Sequence, residues 1–523
     1  MYRFFVAFLF GLLLLVFSSV VGAQILENGA KMIKIGPMFS GSYINVNIAR
    51  EDAIFSRAGV QYLSYFDPDG NVLIATRSAG THEFVNTKVP VQVDRSILSD
   101  PHNYISMQID AEGFIHLVYG HHNSRMNYIR STLPYSVAKW DRPRNKPDHG
   151  VGGGVTYLSF FTAADRLLAM YRSGPHGRGH QVLVSYDIKS KQWRPIHTPF
   201  VSDEGRASPY FFRPAVDRDG TIHLFWTWRL DSYGAENSDN PVLKDDFSGF
   251  VNTDIYHARS ADFGKTWTSS RGTVYSIPIK RNADGAQYAE LVTEIPIGED
   301  FFNHFGSAVD SEGRPFIVYT RRDDEKVAQQ WLTRWDGTNW KTTQVTSYKR
   351  KINWTRQQQN GHASTDIARP SLLLTPDGRA LVFSRTKEFA NEIGLYVSKS
   401  PQYDQWARIR LFRGSTGGWE PQFDMSLWLD EGIISLLLLG ITDKAVYEAY
   451  DIDSKPHTFV NTLRTTWRNI TRLVTTLWQK ATLGEVSGID YYSDDTQVDI
   501  LSVDPLLDDN TGYILELPRS SIR

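Results

Sequence analysis

The sequence predicts an all-β chain folded as a seven-bladed β-propeller, and two recurring strings carry that prediction. The first is a tight turn of the form Asp-x-Asp/Glu-Gly. It occurs as Asp67-Pro-Asp-Gly70, Asp110-Ala-Glu-Gly113, Asp217-Arg-Asp-Gly220, Asp310-Ser-Glu-Gly313, Thr375-Pro-Asp-Gly378 and Leu429-Asp-Glu-Gly432, with a degenerate copy at Ala163-Ala-Asp-Arg166. These seven copies recur at intervals of roughly 40 to 65 residues with one longer gap, the period of four-stranded propeller blades. A short apolar run follows each, as in Thr221 to Phe225 or Arg379 to Phe383, so each copy reads as the corner of a hairpin. The second string is Ser260-Ala-Asp-Phe-Gly-Lys-Thr-Trp267, with weaker echoes ending at Trp140, Trp193, Trp340 and Trp406. Asp and Gly suit a turn and Trp suits packing between sheets, so this motif is read as structural.

The remaining elements follow in chain order. Met1 to Ala23 has a basic start at Arg3, an apolar centre and a Val21-Gly-Ala23 end, which predicts an export signal cleaved near Ala23 and an extracellular or periplasmic protein without a stable membrane anchor. Residues 24–450 are assigned to the propeller. The polar stretch Asp231 to Asn240 predicts a long loop on one face of the disc. Beyond the last repeat, Phe459, Leu463, Trp467, Ile470, Val474 and Leu477 fall at helical spacing with interleaved arginines. Residues 451–523 are therefore expected to form a C-terminal extension, with an amphipathic helix, that packs on or closes the propeller. Val498 to Val503 and Gly512 to Leu517 could supply strands.

Composition narrows the chemistry. The 523 residues include no cysteine, which removes disulfides and cysteine-based zinc sites. A formal net charge of −2 gives no global field to attract nucleic acid, so an anionic ligand must be met by local arginines. No histidine pair has metalloprotease spacing, and no metal ligand or cofactor is assigned, although a structural calcium or zinc ion stays open. A monomer is expected.

In a propeller, equivalent ends of the inner strands converge on one face, so polar residues at those ends become neighbours. The hairpin from His102 to Asn123 brings His102 and Asn103 beside His121, His122 and Asn123. The next blade adds Tyr157 and Arg172, and the one after it Tyr210, Arg213, Trp228 and Arg229; later blades add Asn303, His304, Arg321, Arg322, Arg369 and Arg385. By contrast, His116 and His223 lie within apolar strands and are read as core histidines.

Histidine, tyrosine and arginine together suit β-elimination at a uronic acid. The C5 hydrogen becomes removable when a cation pairs with the adjacent carboxylate, and the arginine fork is made for that pairing. Neutral histidine is a base near neutral pH; tyrosine can donate a proton or, if an arginine lowers its pKa, accept one.

The strings His102-Asn103, Gly120-His-His-Asn123, Val155-Thr-Tyr157, Tyr171-Arg172, Tyr210-Phe-Phe-Arg-Pro214 and Tyr256-His-Ala-Arg-Ser260 resemble the BNR-repeat propeller family that includes ulvan lyases of polysaccharide lyase families 24 and 25. The resemblance runs from about Gly36 to Gly440. It implies a secreted seven-bladed enzyme that cleaves ulvan, an anionic sulfated polysaccharide, by β-elimination at the 4-position of glucuronate or iduronate next to sulfated rhamnose. Carried over by residue, it places the catalytic histidines at His102 and His122, the active tyrosine at Tyr157 and the carboxylate-neutralising arginine at Arg172, with Tyr210 a further site residue. His121, Asn123, Arg213 and Arg321 complete the expected substrate-binding set. Two other classes stay in view: a sialidase-like glycoside hydrolase, which would need three arginines and a Tyr-Glu pair, and a non-catalytic glycan-binding propeller.

Overall fold

The computed structural model describes residues 24–25, 30–50, 53–148, 154–230, 251–281, 289–352, 366–399, 402–411, 415–440, 497–499 and 511–519. The expected export signal, the 231–240 loop and the helical pattern at 459–477 lie outside them.

Seven sheets follow one another around a ring, and six are built from consecutive antiparallel strands. Blade 1 comprises Ile54–Arg57, Val60–Phe66, Asn71–Ser78 and Val85–Gln92; blade 2 comprises Ile105–Ile109, Ile115–Tyr119, Asn127–Ser131 and Trp140–Asp141. Blade 3 comprises Val155–Ala163, Arg166–Ser173, His180–Asp187 and Gln192–Val201. Blade 4 runs through Ala207–Phe211, Ile222–Leu230, Asn252–Ser260 and Glu290–Thr293, with Ala215–Val216 extending its inner edge. Blade 5 comprises Ser307–Val309, Pro315–Arg322, Ala328–Trp335 and Trp340–Gln344. Blade 6 comprises Ser371–Leu374, Ala380–Thr386, Glu392–Ser398 and Trp406–Arg410, and Gln497–Asp499 adds a parallel strand outside it.

Blade 7 is assembled from both ends of the chain. Its strands are Gln422–Phe423, Ile433–Leu439, Thr511–Pro518 and Lys31–Pro37, with Gln24–Ile25 at the outer edge. Thr511–Pro518 pairs with Ile433–Leu439 on one side and with Lys31–Pro37 on the other, and this closes the ring. The strand expected at 512–517 therefore lies inside the propeller itself.

Four of the repeated turns work through one side-chain device, whereas the Leu429–Gly432 copy is no hairpin corner but the end of a short helix, Met425–Glu431. In Asp67, Asp110, Asp217 and Asp310 the Oδ1 atom accepts from the backbone N–H groups two and four residues on, all at 2.8–3.0 Å. The carboxylate thus shapes the turn before any distant contact forms. Most copies join the first and second strands of a blade, whereas Asp67–Gly70 joins the second and third. The Ser260–Trp267 string behaves as expected: Asp262 accepts from the Thr266 N–H at 2.9 Å, and the fully buried Trp267 donates to the Gly264 carbonyl at 2.8 Å.

Each blade is buried on both faces by its neighbours. Ile105, Met107 and Ile109 pack against Phe55, Tyr62 and Ile74 of blade 1, while Val118 joins Phe160, Tyr171 and Val182 of blade 3. That explains why the inner strands read as nearly unbroken apolar runs. His116 and His223 sit in this interior as expected; His116 bonds to the Tyr128 hydroxyl at 2.8 Å and to Asp110 at 3.1 Å.

One ion pair ties the segments that precede four inner strands. Arg369 donates to both oxygens of Glu420 at 2.6 Å, to the Asn303 carbonyl at 3.1 Å and to Asn47 Oδ1 at 3.2 Å. Glu420 in turn accepts from the Ile48 N–H at 2.9 Å. Both side chains are buried. Removing one partner strands the other charge, so Glu420→Ala is expected to lower unfolding stability by about 3–5 kcal/mol in a denaturant titration; a loss below about 1 kcal/mol would show that the pair does not hold the ring.

Candidate active site

Blade 2 supplies a pair of imidazoles on a shared carboxylate. Asp100 caps the short turn Pro101–Asn103, accepting from the His102 N–H at 3.1 Å, and so fixes the start of the hairpin. At the other end, the Gly120 N–H donates to the Asn103 carbonyl at 3.1 Å. Gly120 has φ +59°, and a Cβ there would meet Val93 Cγ1 at 2.9 Å, so glycine is what lets the two ends meet. The His102 and His122 rings then stack at 4.2 Å with 20° between their planes. Asp100 Oδ1 accepts from His102 Nδ1, and Oδ2 accepts from His122 Nδ1 at 2.6 Å. With Nδ1 of each ring donating to Asp100, the Nε2 of a neutral His102 carries its lone pair.

The electrostatics follow from burial and that carboxylate. Burial pushes the Asp100 carboxyl up, but the two imidazoles outweigh it and hold the group well below its usual range. Burial lowers His102 below its ordinary value against the opposing pull of Asp100, so the ring is neutral at pH 7. Asp100, His102 and His122 also form, among the described residues, the one group of three ligand-type side chains close enough to share an ion, with donor atoms within 4.8 Å of one another. As placed, both Nδ1 atoms are committed to Asp100.

Blade 3 supplies the tyrosine and the arginine. The pairing of Val155–Ala163 with Arg166–Ser173 slips between Thr156 and Ser159, and Tyr157 in this bulge has φ +57°. A bulge re-aims a side chain that strict alternation would send elsewhere, and a non-glycine residue held in the left-handed region marks a functional constraint. The Tyr157 ring lies 5.6 Å from His102, 5.6 Å from Tyr210 and 4.3 Å from His304. Burial, then Tyr210, pushes its phenol well above the usual value, outweighing Arg172. Burial therefore keeps the phenol protonated at neutral pH, which runs against the alternative in which an arginine lowers this tyrosine into a base.

Arg172 is 3% exposed. It donates to the Tyr210 hydroxyl, to Thr156 Oγ1 at 3.0 Å and to the Gly174 carbonyl at 3.2 Å. All three acceptors are neutral. Thr156 Oγ1 also accepts from the Asn123 N–H at 2.8 Å, which links blade 2 to the arginine. Tyr157, Arg172, Gln181, Tyr210, Phe212 and His304 line a narrow cavity that opens to solvent.

The other expected residues are placed differently. His121 is buried beneath the pair, with its Nδ1 unpartnered and its pKa pushed down by burial to about 4, so the histidine paired with His102 is His122. Asn123 is exposed and contributes through its backbone. Arg213 lines a separate cavity with Ser307, Leu373 and Trp428, beyond the far ends of the inner strands. The Arg321 guanidinium lies 4.4 Å over Trp331 and is not among the residues lining the Tyr157 cavity. Arg385 and Arg322 are structural, held by the Trp419 carbonyl at 2.9 Å and by Asp300 at 2.7 Å respectively. Sequence reasoning missed Asp100 and Thr156; the only trace of the former is its place two residues before His102.

Residues 60–348, more than half of the 523-residue chain, match the family model described as BNR repeat-containing family member. An ulvan lyase of Alteromonas sp. (strain LOR) is 22% identical over 331 residues, which span 56% of this chain and 64% of that relative. The chain thus matches less than two thirds of the relative's length. A solved PL25 ulvan lyase superposes with a TM-score of 0.58 at 16% identity, covering 80% of this chain and 96% of its own. A PL25 ulvan lyase bound to -[GlcA(1-4)Rha3S]- gives 0.59 at 15% identity over the same shares. The polysaccharide lyase Uly1 gives 0.58 at 14% identity, covering 95% of this chain and 100% of its own. Likeness at these identities establishes the shared seven-bladed fold.

The shared carboxylate is testable by itself. In a histidine-resolved NMR titration, His102 is expected to titrate below about 6.5. In Asp100→Asn it should fall further, because the carboxylate that favours the imidazolium is gone. An unchanged midpoint would contradict the shared bond.

Proposed function

The chain belongs to the BNR repeat-containing family, and on that premise we propose that it is an exported polysaccharide lyase that cleaves ulvan by β-elimination at the 4-position of glucuronate or iduronate next to sulfated rhamnose. The observation that carries this reading is Arg172: a buried guanidinium whose described partners are all neutral. A buried cation without a counter-ion is costly, and a ligand carboxylate relieves that cost. Arg369, by contrast, is already neutralised by Glu420. The ulvan-lyase relative and the lyase structures with the same fold support the substrate class.

In this mechanism the uronate carboxylate binds Arg172, which stabilises the enolate that forms as the C5–H bond breaks. His102 Nε2 takes the C5 proton, and Asp100 steadies the imidazolium through Nδ1. The C4–O4 bond then breaks, Tyr157 protonates the departing O4, and a C4=C5 double bond remains on the new non-reducing end. His122 completes the pair by occupying the second oxygen of Asp100. The His102 ring lies 5.6 Å from that of Tyr157, close enough for base and acid to serve one sugar ring.

The unsaturated product absorbs in the ultraviolet. Absorbance is expected to rise when protein lacking residues 1–23 is mixed with ulvan, and not with pectin or heparan sulfate; no rise with any of the three would overturn the proposal. Arg172→Ala should cut turnover by about 10²–10³-fold and Tyr157→Phe by about 10²–10⁴-fold, with folding unaffected by circular dichroism. The acid limb of kcat/KM should lie below about 6.5, since activity is lost only as His102 gains a proton and burial delays that gain.

A further inference from the structure

One polar atom in the Tyr157 cavity is unused by the elimination steps. His304 precedes the inner strand of blade 5 with φ +56°, in the left-handed region that side-chain-bearing residues rarely occupy. Its ring lies 4.3 Å from that of Tyr157 and 5.9 Å from that of Tyr210, and the residue is 6% exposed. One ring nitrogen bonds to the Phe211 backbone, while Nε2 is buried with no hydrogen-bond partner.

The chemistry of that atom is set by its surroundings. Burial, with Arg369, His102 and Arg172 nearby, holds the imidazole well below its usual range, so the ring is neutral. A neutral imidazole that donates to a carbonyl through one nitrogen carries a lone pair on the other, and that nitrogen accepts and cannot donate. The cavity's other reactive groups, the Arg172 guanidinium and the Tyr157 phenol, are donors. A buried, unpaired acceptor is rare in folded proteins and calls for a partner.

We propose that His304 Nε2 accepts a hydrogen bond from a ring hydroxyl of the uronate held by Arg172, and that His304 thereby selects uronate rings free of sulfate at that position. This deepens the lyase reading and rests on it. A hydroxyl brings the proton that the lone pair needs; a sulfate ester replaces that proton with anionic oxygens, which repel it. Affinity for the hydroxylated ring and rejection of the sulfated ring therefore come from one atom.

The test compares two ulvan oligosaccharides that differ only in sulfation of the uronate hydroxyls, assayed by ultraviolet absorbance. His304→Ala should raise KM for the unsulfated substrate about tenfold, the worth of one hydrogen bond. It should leave kcat within about twofold and narrow the preference over the sulfated substrate. His304→Gln, whose amide oxygen accepts, should recover part of the affinity, and thermal melts of both variants should match the parent. An unchanged KM, an equal loss on both substrates, or a fall in kcat alone would overturn the inference, the last because it would mean that His304 only positions Tyr157. If the parent turns over neither oligosaccharide, the elimination reading has failed and the inference falls with it.

Discussion

The structure depends on closure of the ring. Lys31–Pro37 and Thr511–Pro518 pair with each other inside blade 7, so the first and last described strands of the propeller share one sheet. An open array of blades would leave two unpaired edges and nothing to hold the inner strands in a circle. With the ring closed, positions before or at the start of successive inner strands face one axis. His102, Tyr157, Tyr210 and His304 come from four different blades and still form one cluster with ring separations of 4.3–5.9 Å. The Arg369–Glu420 pair reinforces this centre by joining the segments ahead of blades 1, 5, 6 and 7.

Within that frame, charges are distributed unevenly. Arg369 meets Glu420 and Arg322 meets Asp300, so these cations are satisfied by the protein. Asp100 spends its charge on two histidines. Arg172, at the cavity, faces only neutral acceptors among its described partners. On the proposed lyase reading, a site that keeps Asp100 for the base and leaves Arg172 without a counter-ion suits an anionic ligand that must lose a proton. Burial raises the tyrosine and lowers the histidine, which on that reading separates the proposed acid from the proposed base.

Much of this was legible in the sequence, for a local reason. An aspartate that accepts from backbone N–H groups two and four residues on leaves its signature within five residues, so the blades could be counted from Asp110, Asp217 and Asp310. The convergence of His102, His122, Tyr157, Arg172 and Tyr210 followed from that count. What was hidden depends on direction or distance. The bulge that turns Tyr157 inward has no sequence mark beyond the residue itself, and it also decides the sense of the tyrosine's pKa shift by burying the phenol. Asp100 was overlooked because its role is a contact across the hairpin to His122. Arg213 and Arg321 occupy strand positions like those of the site residues, yet one faces another cavity and the other stacks on Trp331. The pairing of residues 31–37 with 511–518 spans almost the whole chain, and no local pattern announces it.

The central claim is that Arg172 waits for a carboxylate, and binding without turnover tests it most directly. Tyr157→Phe protein would be titrated calorimetrically with an ulvan oligosaccharide and with the same oligosaccharide reduced from carboxylate to alcohol. The account expects the reduced ligand to bind at least about tenfold more weakly, and expects that difference to vanish when Arg172→Ala is added. Equal affinity for both ligands in the presence of Arg172 would contradict it.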